Sequence, residues 1–444
     1  MAILELNLNL HYNPLYWQTA VLNANSGSIE VDEEAKKQDN DYGKVAKAVG
    51  ELQREGVNVQ PPLINTAEYS FIPDTENNQI IYSIKAIRSL NEDTVHEIIS
   101  KRPYTSFDDF YQRVYVDGDN LKAMAFVNLI KAGAFAEFGD TNSIMAQFIA
   151  REIKPKKKLN GQNMTSILRK GMLDKEEYTQ YKEAFLLRNQ LRKQVHKKVT
   201  NPKDTLLLVK NNQINQLTNL LGSAMIVSYS ESGEPIISQK EFDKEYKEFL
   251  QPFMDEVINS KEFIQQFNRI EFMDEWIKRT GGGNTRKWAM DALTYYPDEH
   301  ELSDVNTERY GISDFYQLDA NPEPIGFSKY KGREYPQYEI HDIMGTVIDK
   351  NNTKHTVTLL TPTGVVICKY FGGTYAHYNR TIKVKGKLVE DSWFKRGTLL
   401  IVSGFRRDDQ FVVKKSKFQE HSTSQITEVK TGGELSLQTE RYML

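Results

Sequence analysis

Cysteine is almost absent: Cys368 stands alone among 444 residues. A single thiol excludes an internal disulfide and a multi-cysteine zinc site. In the apolar run Val365–Cys368 it reads as a small buried hydrophobe. No apolar run approaches the length of a membrane helix, and MAILELNLNLHYN carries no basic segment ahead of its apolar residues. A cytoplasmic location and no membrane partner are therefore expected. Neither sign of charge dominates: 57 basic residues face 60 acidic ones, for a net charge of −3. The chain is not a polycation, so any contact with nucleic acid must come from local basic surface. Walker and Rossmann glycine spacings are missing too. The glycine triplet Gly281-Gly282-Gly283 precedes Asn284, a candidate N-cap for the helix Thr285–Leu293, and reads as a hinge.

What is present is a soluble globular composition, 39% hydrophobic and 26% charged, long enough for two or three domains. The charge is uneven. Ala376–Lys417 holds eleven Lys/Arg against four Asp/Glu, whereas Glu231–Glu275 holds twelve acids against five bases. Tyr42–Glu55 reads as a helix with Val45, Ala48, Val49 and Leu52 on one face, stopped by Gly56. Asp32–Asn40 is a polar insertion, and Pro61-Pro62 enforces an extended exit. Residues 151–290 read as mostly helical. Lys154–Lys158 is a basic linker, and Phe185–Val199 is a helix with Arg188, Arg192, Lys193, Lys197 and Lys198 off its apolar face, more often a solvated surface than a DNA track. Phe242, Tyr246, Phe249, Phe253 and Val257 recur near a 3.6 period and read as core.

Ile84–Ile99, IKAIRSLNEDTVHEII, is the stretch with the clearest chemistry. Ile84 and Ile87 suggest a short helix, Ser89-Leu90-Asn91 a tight break, and Val95, Ile98 and Ile99 a second helix. Asn91 can cap that helix or sit at positive φ. Such a hairpin can aim backbone N–H groups at a phosphate. Lys85 and Arg88 would add charge, while Glu92 and Asp93 suit the helix dipole but repel a docked phosphate. The Asp108-Asp109 pair, flanked by Phe107 and Phe110, reads as a helix start rather than a metal site.

From Ile340 the texture becomes β-rich. Two turns, Lys350–Thr353 and Pro362–Gly364, divide three strands, and Gly345 suggests a bulge in the first. TYAHYNR suggests a short helix, and Thr398–Arg406 and Gln410–Phe418 two further strands. Three strands, a linker and two strands is the order of an OB-fold, a five-stranded Greek-key barrel. Such barrels bind single strands with basic grooves and aromatic platforms. Lys350, Lys354, His355, Lys369, Phe371, Tyr375, Tyr378, Arg380 and Lys383 are the candidates, with Phe371 and Tyr378 equally able to close the barrel core.

Taken in order, WQTA with Leu22, ELQREGVNVQPPLINTAEYSF, the hairpin, YTSFDDFYQRV, LIKAGAF, KWAMDALTYYPDEHEL and SWFKRGTLLIVSGFRRDDQF resemble the carboxy-terminal portion of bacterial and phage family C replicative DNA polymerases, the DNA polymerase III alpha subunit. The resemblance runs with gaps from about Leu6 to about Phe418. It implies a multidomain α+β chain, its first two-thirds mostly helical with a helix-hairpin-helix, its end an OB-fold. The segments expected are residues 1–70 as the remainder of the fingers, 71–150 as the hairpin region, 151–335 as a helical connection, 336–420 as the barrel and 421–444 as a flexible tail. Family members usually carry glycine where this chain has Ser89 and Asn91. His300, in the Tyr296-to-His300 signature, is expected to be structural. Glu434–Gln438 faintly resembles the motif by which these polymerases dock on a sliding clamp.

The family's palm, with its three metal-binding aspartates, would lie before Met1. The resemblance therefore implies no cofactor in this chain, Mg2+ in a separately encoded amino-terminal catalytic half, and template or single-stranded DNA as ligand. The alternative is a non-catalytic single-strand-binding adaptor derived from such a polymerase.

Overall fold

The computed structural model describes residues 14–26, 41–193, 199–201, 204–209, 211–330, 332–416 and 419–442. The expected Asp32–Asn40 loop lies outside these residues. Two compact units result: Met1–Met145 with Gly282–Leu444, and Ala146–Gly281.

In the first unit, α1 (Pro14–Ser26) is tied to the following chain by Asn23, whose amide donates to the Phe71 carbonyl at 3.0 Å and accepts from the Phe71 N–H at 2.7 Å. Helix α2 (Tyr42–Arg54) starts at Asp41, whose carboxylate accepts from Lys44 N–H, and buries Val45, Ala46, Val49 and Leu52. Ala46 replaces the expected Ala48 as the buried alanine. Strands β1 (Asn58–Gln60), β2 (Ile72–Asp74) and β3 (Gln79–Ile81) form a small sheet with β3 central.

The hairpin follows. Ile84 and Ile87 are buried as expected, but residues 84–89 form consecutive turns rather than a helix. The segment is too short to nucleate one, and its apolar side chains are held by packing instead. Helix α3 (Glu92–Ser100) is present. Beyond it come α4 (Phe107–Phe110), continuing as a π-helical turn to Val116, then α5 (Ala123–Lys131) and α6 (Thr141–Ile153). Tyr104, Phe107, Phe110, Phe126 and Phe135 meet in one aromatic cluster with ring centroids 4.9–5.7 Å apart.

The second unit contains α7 (Met164–Arg169), α8 (Thr179–Lys193), β4 (Val199–Asn201), β5 (Asp204–Leu208), α9 (Asn211–Leu221), β6 (Ile226–Tyr229), β7 (Pro235–Ser238), α10 (Gln239–Phe253) and α11 (Lys261–Thr280). Its four strands pair antiparallel in the order β4-β5-β7-β6, so the expectation of a helical connection missed a sheet. Strands this short carry too few residues for alternation to register, and the Leu206-Leu207-Leu208 run suits a helix equally well. The expected core residues Phe242, Tyr246 and Phe253 are buried, together with Phe185 and Phe263. Lys156 of the basic linker is pinned through its backbone by both polar atoms of the Asn268 amide.

Residues 282–302 belong to the first unit. Asn284 caps α12 (Thr285–Leu293) as anticipated. The Tyr82 hydroxyl donates to the Leu293 carbonyl (2.7 Å), Tyr295 to Val59 (3.1 Å) and the Gln53 amide to Tyr296 (2.9 Å), stitching this stretch to the helix-hairpin-helix. After α13 (Thr307–Tyr310) comes the two-stranded ribbon β8 (Gly326–Tyr330) and β9 (Arg333–Gln337), which the sequence reading did not anticipate.

The barrel is closed by β10 (His341–Asn351), β11 (Thr356–Thr361), β12 (Gly364–Lys369), β15 (Leu399–Arg407) and β16 (Gln410–Val413). Strand β10 pairs with β15 by its first half and with β11 by its second, and β12 runs parallel to β16. This is the OB-fold connectivity. The bulge falls between Val347 and Asp349, just after Gly345, where an added Cβ would lie 2.8 Å from the Leu360 carbonyl. Between β12 and β15 sit α14 (Gly372–Asn379) and the hairpin β13 (Ile382–Val384)–β14 (Lys387–Glu390).

Of the expected flexible tail, residues 421–442 are described and contain two strands. Strand β17 (Thr423–Val429) extends the sheet from β15, and β18 (Leu435–Gln438) pairs with β17. Leu435 and Ile426 are buried beside Met344 and Leu399. Polar spacing hid this, because only alternate residues face the barrel. The Glu434–Gln438 segment, the clamp-motif candidate, is thus committed to a strand.

Candidate nucleic-acid interface

At the hairpin, Asn91 takes the capping role and not the positive-φ one. Its side-chain oxygen accepts from Thr94 N–H at 2.9 Å, with backbone φ −93°. Ser89 holds the left-handed conformation instead, at φ +67° and exposed. Arg88 is exposed but engaged: its N–H donates to the Ala292 carbonyl, its guanidinium to the Asp291 carbonyl (3.1 Å), and its carbonyl accepts from Asn128. Its guanidinium also lies 5.9 Å from the centre of the Tyr42 ring, which carries Arg396 at 5.5 Å as well. Lys85 is half-buried. The four residues therefore lie in one turn, but Arg88 and Asn91 are occupied by the fold itself.

Asp109 accepts from Thr105 N–H and from Arg113, and these contacts hold its carboxyl below its usual range. Ser106 caps α4. His300 is structural in its geometry: its ring is buried, Nδ1 accepts from Leu302 N–H, and Nε2 lies 3.0 Å from the Leu360 carbonyl, so Nε2 carries the proton. Burial lowers its pKa to about 4.

In the barrel, most of the predicted residues gather around α14. Lys350 donates to Asn379 at 2.7 Å, and Lys369 donates to the Lys354 carbonyl. The His355 ring, at a backbone φ of +51°, lies 5.2 Å from Tyr375. Arg380 and Lys383 are exposed just beyond the helix. The aromatic assignments divide. Tyr375 and Tyr378 are buried among Tyr370, Trp393 and Phe394, and burial raises the pKa of both hydroxyls. They close the core and cannot serve as stacking platforms. A helix that caps a barrel must present one apolar face downward, and the spacing of Tyr375 and Tyr378 supplies it. Phe371 goes the other way, with 65% of its surface exposed although Tyr370 beside it is buried. Cys368 is buried, and burial raises its thiol pKa.

The sequence reading missed three contributors to this surface: His377, the Lys414-Lys415 pair and His421. With Phe371 they line an open cleft of about 510 Å3. Only the basic run up to Lys417 hinted at them. Among the described residues, the grouping of three carboxylate or imidazole ligand atoms within 4.8 Å is Glu420, His421 and Glu440. No helix among the described residues is long and apolar enough to cross a membrane.

The chain combines a helix-hairpin-helix with an OB-type barrel, and comparison with known sequences fits that combination. Residues 56–145 match the family described as a helix-hairpin-helix motif. The chain is 36% identical over 451 residues, 99% of its length, to a probable DNA polymerase, YorL, of Bacillus subtilis, and equally to a DNA-directed DNA polymerase of Bacillus phage SPbeta. It spans about a third (34%) of the length of these curated relatives. It is also 28% identical over 137 residues to the DNA polymerase III subunit alpha of Campylobacter jejuni, covering 30% of this chain and 11% of that one. The chain is homologous to the DNA polymerase III alpha subunit and, along nearly its whole length, to these Bacillus and phage DNA polymerases.

Proposed function

We propose that this chain is the DNA-handling portion of a DNA polymerase III alpha-type replicase. It grips template and single-stranded DNA with its hairpin region and barrel. Nucleotidyl transfer needs carboxylates that place divalent ions on the 3′-hydroxyl and the triphosphate. These, with their Mg2+, are assigned to a separately encoded catalytic half. The observation that carries the polymerase reading is the 36% identity to proteins named as DNA polymerases across 99% of this chain. The basic surface around α14 supports it, since counterion release from a polyanion is what such a surface supplies.

The test is twofold. Purified chain should bind oligonucleotide with an affinity that falls steeply and linearly on a log–log salt plot. It should not extend a primed template alone, and should do so once the palm-bearing half is added. Primer extension by this chain alone would refute the division of labour. Tight single-strand binding with no gain on adding that half would favour an adaptor instead.

A further inference from the structure

OB barrels usually take an oligonucleotide across the outer face of their second and third strands. Here half of that face is covered. Helix α2 lies on it: an added Cβ at Gly50 would come within 2.5 Å of Val365 Cγ2 and 3.1 Å of Leu360 Cδ1. Ala46, Met290, Tyr296, Ile348 and Leu360 share one buried cluster there. Arg54 stacks on Tyr316 at 5.1 Å, and the Tyr316 hydroxyl donates to the Val365 carbonyl, which seals the edge. The other half of the face, Thr358, Ile367 and Lys369, stays half-exposed and leads along the chain to Phe371.

The cleft begins at that ring. Phe371 and His377 of the α14 segment line it, together with Lys414, Lys415, Glu420 and His421 of the segment after β16. Each lysine spends one contact locally: Lys414 on the Gln337 amide oxygen and Lys415 on the Glu420 carbonyl, both at 3.3 Å. An ammonium has three donors, so capacity remains. His421 Nε2 is buried with no hydrogen-bond partner among the described residues. The surroundings are cationic: His377 has its pKa lowered by burial and then by Arg380, Arg441 and His421. Two carboxylates temper this: Glu420 lines the cleft with its Oε2 3.9 Å from His421 Nε2, and Glu440 lies within 4.8 Å of the same pair. An exposed ring with cations in the same cleft suits a ligand with both a flat face and a negative charge.

We propose that this cleft seats one nucleotide unit of single-stranded DNA, its base stacked on Phe371 and its phosphate facing Lys414, Lys415 and the two imidazoles. The strand then leaves the barrel by the α14 end and does not cross β11 and β12 along their length. This assignment rests on the DNA-binding reading above and adds the route.

The experiment is fluorescence anisotropy of the full chain with oligo-dT at fixed salt, paired with photocrosslinking of an iododeoxyuridine-substituted strand. Phe371→Ala should weaken binding about tenfold, since a stacking platform contributes about 1–3 kcal/mol per base. Lys415→Gln should lower the salt slope by about 0.7, and Glu420→Gln should tighten binding. The crosslink should map to the peptide containing Phe371. Because Phe371 is exposed, its replacement leaves the core intact, and the crosslink on unmodified protein needs no variant at all. Wild-type affinity in Phe371→Ala and Lys415→Gln, with loss in Lys354→Ala and Lys369→Ala, would overturn the cleft while leaving DNA binding standing. No oligonucleotide binding by the unmodified chain would overturn both.

Discussion

Arg441 reaches back to Glu390, Nε to Oε2 at 3.1 Å, with their side chains 0% and 11% exposed. The same guanidinium donates to the carbonyls of His377, Tyr378, Arg380 and Asp391, fastening the end of α14. Glu390 in turn accepts from Trp393, Gln438 and the Tyr442 N–H.

Arg441→Ala should therefore destabilise the barrel by about 3 kcal/mol or more, because it strands a buried carboxylate and several carbonyls. Urea unfolding followed by Trp393 fluorescence measures this. Burial acts to raise the Glu390 pKa, but the Tyr442, Trp393 and Arg441 hydrogen bonds outweigh it and hold the group below its ordinary value. A depressed carboxylate contributes stability above its unfolded pKa and loses it as pH falls through the folded one. Glu390→Gln should thus be less stable at neutral pH and should show a shallower loss in acid.

His300 gives a second pH signature. Its folded pKa of about 4 lies below the ordinary 6.5, so between these values the unfolded chain binds the extra proton. Stability is full above pH 6.5 and falls by about 3 kcal/mol as pH drops toward 4. His300→Gln should flatten that slope. In the unmodified chain, NMR should find an imidazole protonated at Nε2 that does not titrate between pH 7 and 5.

Gly50 tests the seat of α2 on the barrel. Alanine normally favours a helix interior over glycine by about 1 kcal/mol. Here its Cβ would collide with Val365. Gly50→Ala should instead cost about 1 kcal/mol or more. Val365→Ala in the same chain should remove the penalty, and a thermal double-mutant cycle measures the coupling.

At the hairpin, Ser89 and Asn91 should respond in opposite directions. Ser89→Gly relieves a left-handed residue and should stabilise by about 0.5–1 kcal/mol. Asn91→Ala removes a cap and should cost about 1 kcal/mol. Chemical denaturation of the two variants side by side decides it.

The hairpin and barrel were legible because their signals are local: a cap before a periodic run, turns between β-rich runs, a basic stretch. The sheet of the second unit was not, because strands of three to five residues around Leu206–Leu208 carry no period of their own. Tyr375 was taken for a platform, and Phe371 and Tyr378 were left open between platform and core, for a related reason: sequence gives the ring but not the side of the helix that meets the core. Strands β17 and β18 looked like tail because β17 finds its partner on the distant β15 and β18 only on β17, and His377 and His421, 44 positions apart (421 − 377), meet only as walls of one cleft.

The helix-hairpin-helix closes on residues from Tyr295 and Leu293, with all of Ala146–Gly281 intervening. During synthesis its aromatic and apolar surfaces must wait for that whole stretch to emerge, while Ala146–Gly281 can collapse on local contacts. Nascent chains halted before Gly282 should therefore be sticky at the amino-terminal side and recruit holdase chaperones there.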